Sequence, residues 1–76
     1  MPQRKAELDI GYRAAYETRR LFDRVKDATA AIGCYRRTIC DWEHGVAPSA
    51  MYLARMHELG ADVIWILTGK KEDGRC

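Results

Sequence analysis

Apolar residues recur three and four positions apart along most of this chain, and strict alternation of apolar and polar residues is absent. This spacing is typical of helices that bury one side, and the scarcity of β-branched residues argues against strands. The pattern therefore predicts an all-α fold of five helices. The first helix is expected over about residues 8–20, with Ile10, Ala14 and Leu21 on its inward stripe.

Turn and capping residues divide the middle of the chain into two short helices. Asp23 is expected to cap a second helix that runs to Ile32, because its carboxylate can accept from free amides of the first turn. Gly33 supplies the permissive backbone of a sharp turn. A third helix then covers about residues 35–43 and ends near Gly45.

Two more helices are predicted in the C-terminal part of the chain. Pro48 suits the first turn of the fourth helix, where a missing N–H costs nothing, and Gly60 suits its end. Asp62 can cap the last helix, which ends at Gly69. The inward stripe of the fourth helix is expected to include Ala50, Leu53, Ala54 and Met56.

The second and third helices need an apolar face in common if they pack at a steep angle across the glycine turn. The expected residues of that face are Ala28, Ile32, Cys34, Ile39 and Trp42, with Ala28 and Thr29 at the closest approach. The outward positions of the third helix are then Tyr35, Arg36, Arg37, Cys40 and Asp41. An exposed helix of this width fits the major groove of DNA.

A chain of 76 residues forms one small domain, expected over residues 8–69 between a flexible arm (1–7) and a tail (70–76). Its core alone stabilises it only marginally, so an oligomer is expected. Five consecutive apolar residues at 63–67 span more than one side of a helix. We therefore expect Ile64, Trp65 or Leu67 to lie in a two-fold interface; in the alternative, Trp65 fills the domain's own core.

Charge is distributed unevenly along the chain. Residues 1–40 carry nine Lys or Arg against five acidic residues, a net charge of +4, whereas the remaining residues carry four against six, a net charge of −2. Because the sign of the local field steers a polyanion, the first half is the candidate for facing phosphates.

Cysteine usage and hydropathy suggest a reducing compartment. The three cysteines, Cys34, Cys40 and Cys76, form no CxxC pair, so neither a disulfide framework nor a zinc ribbon is indicated. No leader or membrane span is recognisable, and a cytoplasmic location without a membrane partner is expected. Cys40 and His44 are four residues apart, but without a second pair they do not indicate a metal site. Cys40 on an arginine-rich helix is also a candidate redox switch.

Two stretches resemble a known family. The stretch "IGCYRRTICDWEHG" is similar to the helix-turn-helix and recognition helix of Cro and phage-repressor-like (XRE-type) regulators, and "PSAMYLARMHELGADVIWILTG" resembles their closing pair of helices. "DIGYR" at residues 9–13 resembles the opening helix less closely. The chain departs from the family at "FDRVKD", which replaces the usual Gly-Leu-Ser/Thr-Gln entry to the second helix, and at Thr29, where Ala is common.

The resemblance implies a five-helix, lambda-repressor-like DNA-binding domain, with its helix-turn-helix at about 25–44. It also implies a homodimer that binds a partly palindromic operator, usually to repress transcription, in the cytoplasm and nucleoid of a bacterial or phage-infected cell. No cofactor or metal is implied. The base-reading positions then fall on Tyr35, Arg36, Arg37 and Asp41, and phosphate contacts on Arg24, Lys26, Thr38 and His44.

Chemistry suggests particular roles for these side chains. Arg36 or Arg37 can fork onto a guanine, and Asp41 can accept from a cytosine amino group. In the alternative, Arg37 and Asp41 simply pair with each other along the helix surface. Glu43 is expected to be structural, paired with Arg19 or Arg20 rather than catalytic.

Three classes of function are compatible with these patterns. The leading one is a sequence-specific repressor from a phage or mobile element. The others are an antitoxin or accessory regulator whose main partner is another protein, and a helix-turn-helix used only for protein contacts. An enzyme is not expected, since no catalytic set of side chains or Gly-rich phosphate loop occurs at suitable spacing.

Overall fold

The computed structural model describes the backbone of residues 5–70 and the side chains of residues 9–70. Within this part of the chain the fold consists of helices without strands, which confirms the all-α prediction. The five helices are α1 (Lys5–Leu21), α2 (Val25–Ile32), α3 (Arg36–Glu43), α4 (Ala50–Glu58) and α5 (Val63–Thr68). The expectations for residues 1–4 and 71–76, including Cys76, lie outside the described residues.

Helix α1 is the central element of the fold. It packs most extensively against α3 and α5 and also contacts α2, while α2 packs against α3 and α4, and α4 against α5. Its inward stripe contains Ala14, which is fully buried, between the half-buried Ile10 and Leu21, as expected. The largest side chains in the common core are Trp42, Ile32, Met56 and Ile66, each at most 1% exposed.

The expected shared face of α2 and α3 is confirmed. Ala28, Ile32, Cys34, Ile39 and Trp42 are all buried. Between the helices, Gly33 adopts a left-handed conformation (φ 80°) and its N–H donates to the Thr29 carbonyl at 2.8 Å. A side chain at this position would be strained, because L-residues rarely adopt that backbone conformation. The outer side of α3 is exposed because its other side is committed to the core.

Arginines from other helices bind the C-terminal ends of three helices. Arg55 donates to the Ile32 carbonyl at the end of α2 (2.9 Å), and Arg13 donates to the Ile66 carbonyl in the last turn of α5 (2.8 Å). Arg20 reaches the Gly60 carbonyl after α4 at 3.3 Å. The last carbonyls of a helix lack intrahelical partners and carry partial negative charge. These arginines therefore satisfy backbone groups while joining elements distant in sequence.

Two of the predicted helix starts are wrong. Arg24, not Asp23, is the N-cap of α2, and no side chain caps that helix. The extended backbone that precedes a helix occurs at Arg24 (φ −123°, ψ 139°), one residue after the expected cap. Pro48 lies before the N-cap of α4 rather than in its first turn, because Ser49 takes the capping position and accepts from the Tyr52 N–H.

Helix α1 also begins earlier than expected, at Lys5 instead of about residue 8, so residues 5–7 of the predicted arm are helical. The remaining boundaries agree with the expected ones to within about a residue. The Asp62 carboxylate caps α5 by accepting from the Trp65 N–H at 3.0 Å, and Gly69 ends that helix. Gly60 follows the end of α4.

The inward stripe of α4 was only partly predicted. Met56 is fully buried and Leu53 is half-buried, but Ala50 and Ala54 are exposed. Tyr52 takes their place against the core, where its ring meets Trp42 edge-on at a centroid distance of 6.0 Å. The stripe is displaced because α4 packs mainly beside α2 and α5. Ala50 and Ala54 therefore border an apolar groove between α4 and α5.

Candidate functional site

The outer side of α3 presents the side chains expected there. Tyr35, the N-cap of α3, is 81% exposed, and Arg36, Arg37, Cys40 and Asp41 are also exposed. Ile39 and Trp42 anchor the opposite side of the helix in the core. The helix is thereby held in one orientation, with a charged surface toward solvent.

Most of the other arginines have structural partners. Arg13, Arg20 and Arg55 bind helix-end carbonyls, and Arg20 also pairs with Glu17. Arg19 of α1 forms an ion pair with Glu43 of α3, which confirms the expected structural role of that glutamate. These contacts leave few basic side chains available for an outside partner.

Apart from Lys70 beyond the end of α5, four Lys or Arg side chains make no hydrogen bond or ion pair within the described residues: Arg24, Lys26, Arg36 and Arg37. All four are exposed and lie at the start of α2 or on the outer side of α3. Lys26 and Arg36 line one shallow cleft with Val25 and Thr29, so the two helices contribute to a continuous surface. We call these four residues the basic surface.

Two helix N-termini reinforce this surface. Neither α2 nor α3 has a side-chain cap, because Arg24 and Tyr35 occupy the N-cap positions without a capping hydrogen bond. The first amides of a helix have no intrahelical acceptor, and the macrodipole adds partial positive charge there. Both helix starts are therefore suited to an anion, in addition to the four cationic side chains.

Acidic residues near the basic surface form no ion pair with it within the described residues. Asp41 lies four residues after Arg37 on α3, but within the described residues the two form no ion pair. The alternative in which these two side chains simply bind each other is therefore not the one observed. Asp23 and Asp27 are exposed near the start of α2 and offset part of the positive field there.

The remaining predicted contact residues differ in their surroundings. Thr38 is half-buried, whereas His44, the C-cap of α3, is exposed. The His44 Nδ1 atom lies 2.8 Å from the Cys40 carbonyl oxygen and 3.8 Å from Cys40 Sγ. Among the described residues no cluster of three or more His, Cys, Asp or Glu has the arrangement of a metal site.

The two described cysteines differ in environment. Cys40 is exposed beside the basic surface, while Cys34 is buried in the α2–α3 core. Burial raises the pKa of the Cys34 thiol above its ordinary value, because the thiolate loses hydration; the nearby Arg55 opposes that shift.

A second surface is apolar and lies between α4 and α5. Ile64 and Leu67 are 49% and 43% exposed, and both line a groove of about 600 Å³ with Leu53, Ala54 and His57. Trp65 is only half-exposed, and its ring meets Tyr16 of α1 edge-on at a centroid distance of 5.3 Å. Trp65 therefore belongs partly to the domain's own packing, whereas Ile64 and Leu67 face outward.

One buried charged residue was missed from the sequence. Glu17 is fully buried, and its carboxylate accepts from the Asp62 N–H at 2.8 Å and from two atoms of Arg20, Nε (2.8 Å) and Nη2 (2.9 Å). The hydrogen bond to Glu17 also raises the pKa of Arg20. Glu17 falls at helical spacing on the stripe of Ile10, Ala14 and Leu21, and that spacing was the available signal.

No protein-family model, curated protein or solved structure matches this chain. Within the described residues, no helix is long and apolar enough to cross a membrane. What this chain does is therefore inferred from its own residues and geometry.

Proposed function

We propose that this protein is a sequence-specific regulator of transcription that binds double-stranded DNA. The α2–turn–α3 unit at about 25–44 acts as a helix-turn-helix in a lambda-repressor-like domain, and α3 enters the major groove. The observation that carries this proposal is the basic surface: its four cationic side chains, which have no partner within the described residues, lie at the start of α2 and along the outer side of α3, and Lys26 and Arg36 line one cleft. No catalytic role is proposed for any residue.

The outer side of α3 has the chemistry for reading base edges. An exposed α-helix fits the major groove, where arginine can fork onto the O6 and N7 atoms of guanine. Asp41 can accept from the amino group of cytosine. Tyr35 at the start of α3 is exposed enough to contact a base or the sugar-phosphate backbone.

Phosphate contacts would fix the position of the domain on the duplex without reading its sequence. Arg24 and Lys26 are suited to this role, because they lie beside the uncapped start of α2. Thr38 and His44 of α3 are proposed as further phosphate contacts on either side of the groove.

The apolar surface of α5 supports a homodimer. Ile64 and Leu67, with the exposed edge of Trp65, provide side chains that a second copy can cover. A two-fold axis there would present two copies of α3 to successive major grooves, roughly 34 Å apart, and would match a partly palindromic operator. We infer a cytoplasmic, nucleoid-associated repressor of phage or mobile-element type.

A second candidate is an antitoxin or accessory regulator whose main partner is another protein. The groove of about 600 Å³ between α4 and α5 favours this candidate, because it is lined by mostly apolar side chains and open to solvent. An amphipathic helix of a partner protein would suit such a groove.

Selection from a random duplex library tests the proposal directly. The affinity of the protein for the selected duplex and for a scrambled duplex is then measured over a series of salt concentrations. Two inverted half-sites about 10 bp apart, with a preference that persists at higher salt, are expected of a dimeric reader of sequence. A steep salt dependence without any selected motif would instead mean that the basic surface contacts phosphates only.

A further inference from the structure

Arg36 and Arg37 are adjacent in sequence but project in different directions from α3. An α-helix turns by about 100° per residue, so the direction of each side chain follows from its position. The middle of the buried side lies between Ile39 and Trp42, which are 2% and 1% exposed. Arg37 projects about 170° from that direction, straight away from the core, whereas Arg36 projects only about 90° from it.

The neighbours of Arg36 show which side of α3 it occupies. Arg36 lines a cleft with Val25, Lys26 and Thr29 of α2. It also lines a second cleft with Arg19 and Glu43, at the junction of α1 and α3. Arg36 is thus directed along the boundary between α3 and the start of α2, beside Lys26 and the uncapped amides of that helix.

The structure assigns different roles to the two arginines: Arg37 reads a base pair, and Arg36 binds a backbone phosphate together with Lys26. This assignment rests on the proposed function, because it presupposes that α3 lies in the major groove. When α3 enters the groove, the direction opposite the core points at the base edges. The flank facing α2 points at the sugar-phosphate backbone that borders the groove.

The chemistry of each contact predicts how it responds to substitution. A phosphate is bound mainly through charge, so lysine can replace arginine at Arg36. A guanine edge is read best by the rigid planar fork of the guanidinium group, and the flexible ammonium group of lysine is less well preorganised for it, so lysine at position 37 weakens discrimination. A bidentate base contact corresponds to about 5- to 150-fold discrimination, while one phosphate contact contributes about 0.9 to the slope of log affinity against log salt.

The test compares the selected duplex with all its single-base-pair variants at several salt concentrations, for the unmodified protein and for four variants. Arg36→Ala is expected to weaken binding to every duplex by the same factor and to reduce the salt slope by about 0.9 per bound copy. Arg36→Lys is expected to keep most of the affinity that Arg36→Ala loses. Arg37→Ala is expected to abolish discrimination at one base pair of each half-site, and Arg37→Lys to reduce it without a uniform loss on all duplexes.

Lys70→Ala is the matched control, since it removes one positive charge from an exposed residue beyond the end of α5. Thermal unfolding of all the variants is expected to stay unchanged, because Arg36 and Arg37 are exposed and form no hydrogen bond or ion pair with the described part of the chain. Loss of discrimination at one base pair with Arg36→Ala, or an equal loss on all duplexes with Arg37→Ala, overturns the assignment. An unmodified protein without any base preference would instead overturn the proposed function, and with it the role of Arg37.

Discussion

Glu17→Gln tests whether the buried carboxylate between α1 and α5 stabilises the domain. The side chain of Glu17 is 1% exposed, and from described residues its two oxygens accept two hydrogen bonds of Arg20 and one of the Asp62 N–H. Glutamine has nearly the same shape but only one oxygen. If that oxygen replaces Oε1, it keeps the Asp62 N–H and Arg20 Nη2, and the new NH₂ group then faces the Arg20 Nε–H, donor against donor.

The expected loss follows from this geometry. One hydrogen bond between charged groups disappears, which is worth about 1.5 to 3 kcal/mol. Because the Arg20 side chain is 48% exposed, solvent screens the pair and the lower half of that range applies. We expect the free energy of unfolding to fall by about 2 kcal/mol, and the melting temperature by roughly 10 °C for a domain of this size.

Urea unfolding, followed by circular dichroism at a fixed protein concentration, measures this loss. The slope of the free energy against urea concentration is expected to stay unchanged. Glu58→Gln is the matched control, because Glu58 is exposed at the end of α4 and should change stability by less than about 0.5 kcal/mol. A double-mutant cycle with Arg20→Ala should give a coupling of at least about 1 kcal/mol. A change no larger than the control, or a coupling near zero, would refute the assignment of Glu17 as a joint between the helices.

Three further predictions concern other parts of the molecule. Gly11→Ala should lower the free energy of unfolding in urea by about 1 to 3 kcal/mol, because the alanine Cβ would lie 2.6 Å from the Val46 carbonyl oxygen after α3. This clash outweighs the higher helix propensity of alanine, and unchanged stability would contradict the close approach. Alkylation at pH 8 read by peptide mass spectrometry should modify exposed Cys40 well before Cys34, whose raised pKa leaves less thiolate; equal labelling would contradict the burial. Leu67→Ser should shift sedimentation equilibrium toward monomer while Met51→Ser does not, and a monomeric unmodified protein would refute the dimer.

The helical character of the chain and the packing of α2 on α3 could be predicted from local sequence patterns. The apolar residues Ile32, Ile39 and Trp42 recur at helical spacing around Gly33, and helical spacing alone puts them on one side. The same arithmetic places Arg36 and Arg37 outside. The cap at Asp62 was equally readable, because a capping carboxylate acts on amides only a few residues away.

Features that depend on distant segments could not be read this way. Arg20 and Arg24 have the same side chain in similar charged surroundings, yet Arg20 binds Glu17 and the carbonyl after α4, whereas Arg24 makes no such contact within the described residues. Likewise, Ala50 and Ala54 matched an inward stripe, but the direction in which α4 packs leaves them exposed. Which element covers a given side is set by packing between segments that are far apart in the chain.

The hydrophobic pattern was thus enough to predict the helices and the buried side of α3, because both follow from the geometry of a single helix. The set of basic residues available to a partner emerged only when the chain was folded, since Arg13, Arg20 and Arg55 are engaged by carbonyls brought close by tertiary contacts. The tertiary structure also decided which of Arg36 and Arg37 lies beside α2. Helical geometry separates the two side chains by about 100°, but only the position of α2 beside Arg36 distinguishes the two flanks of α3.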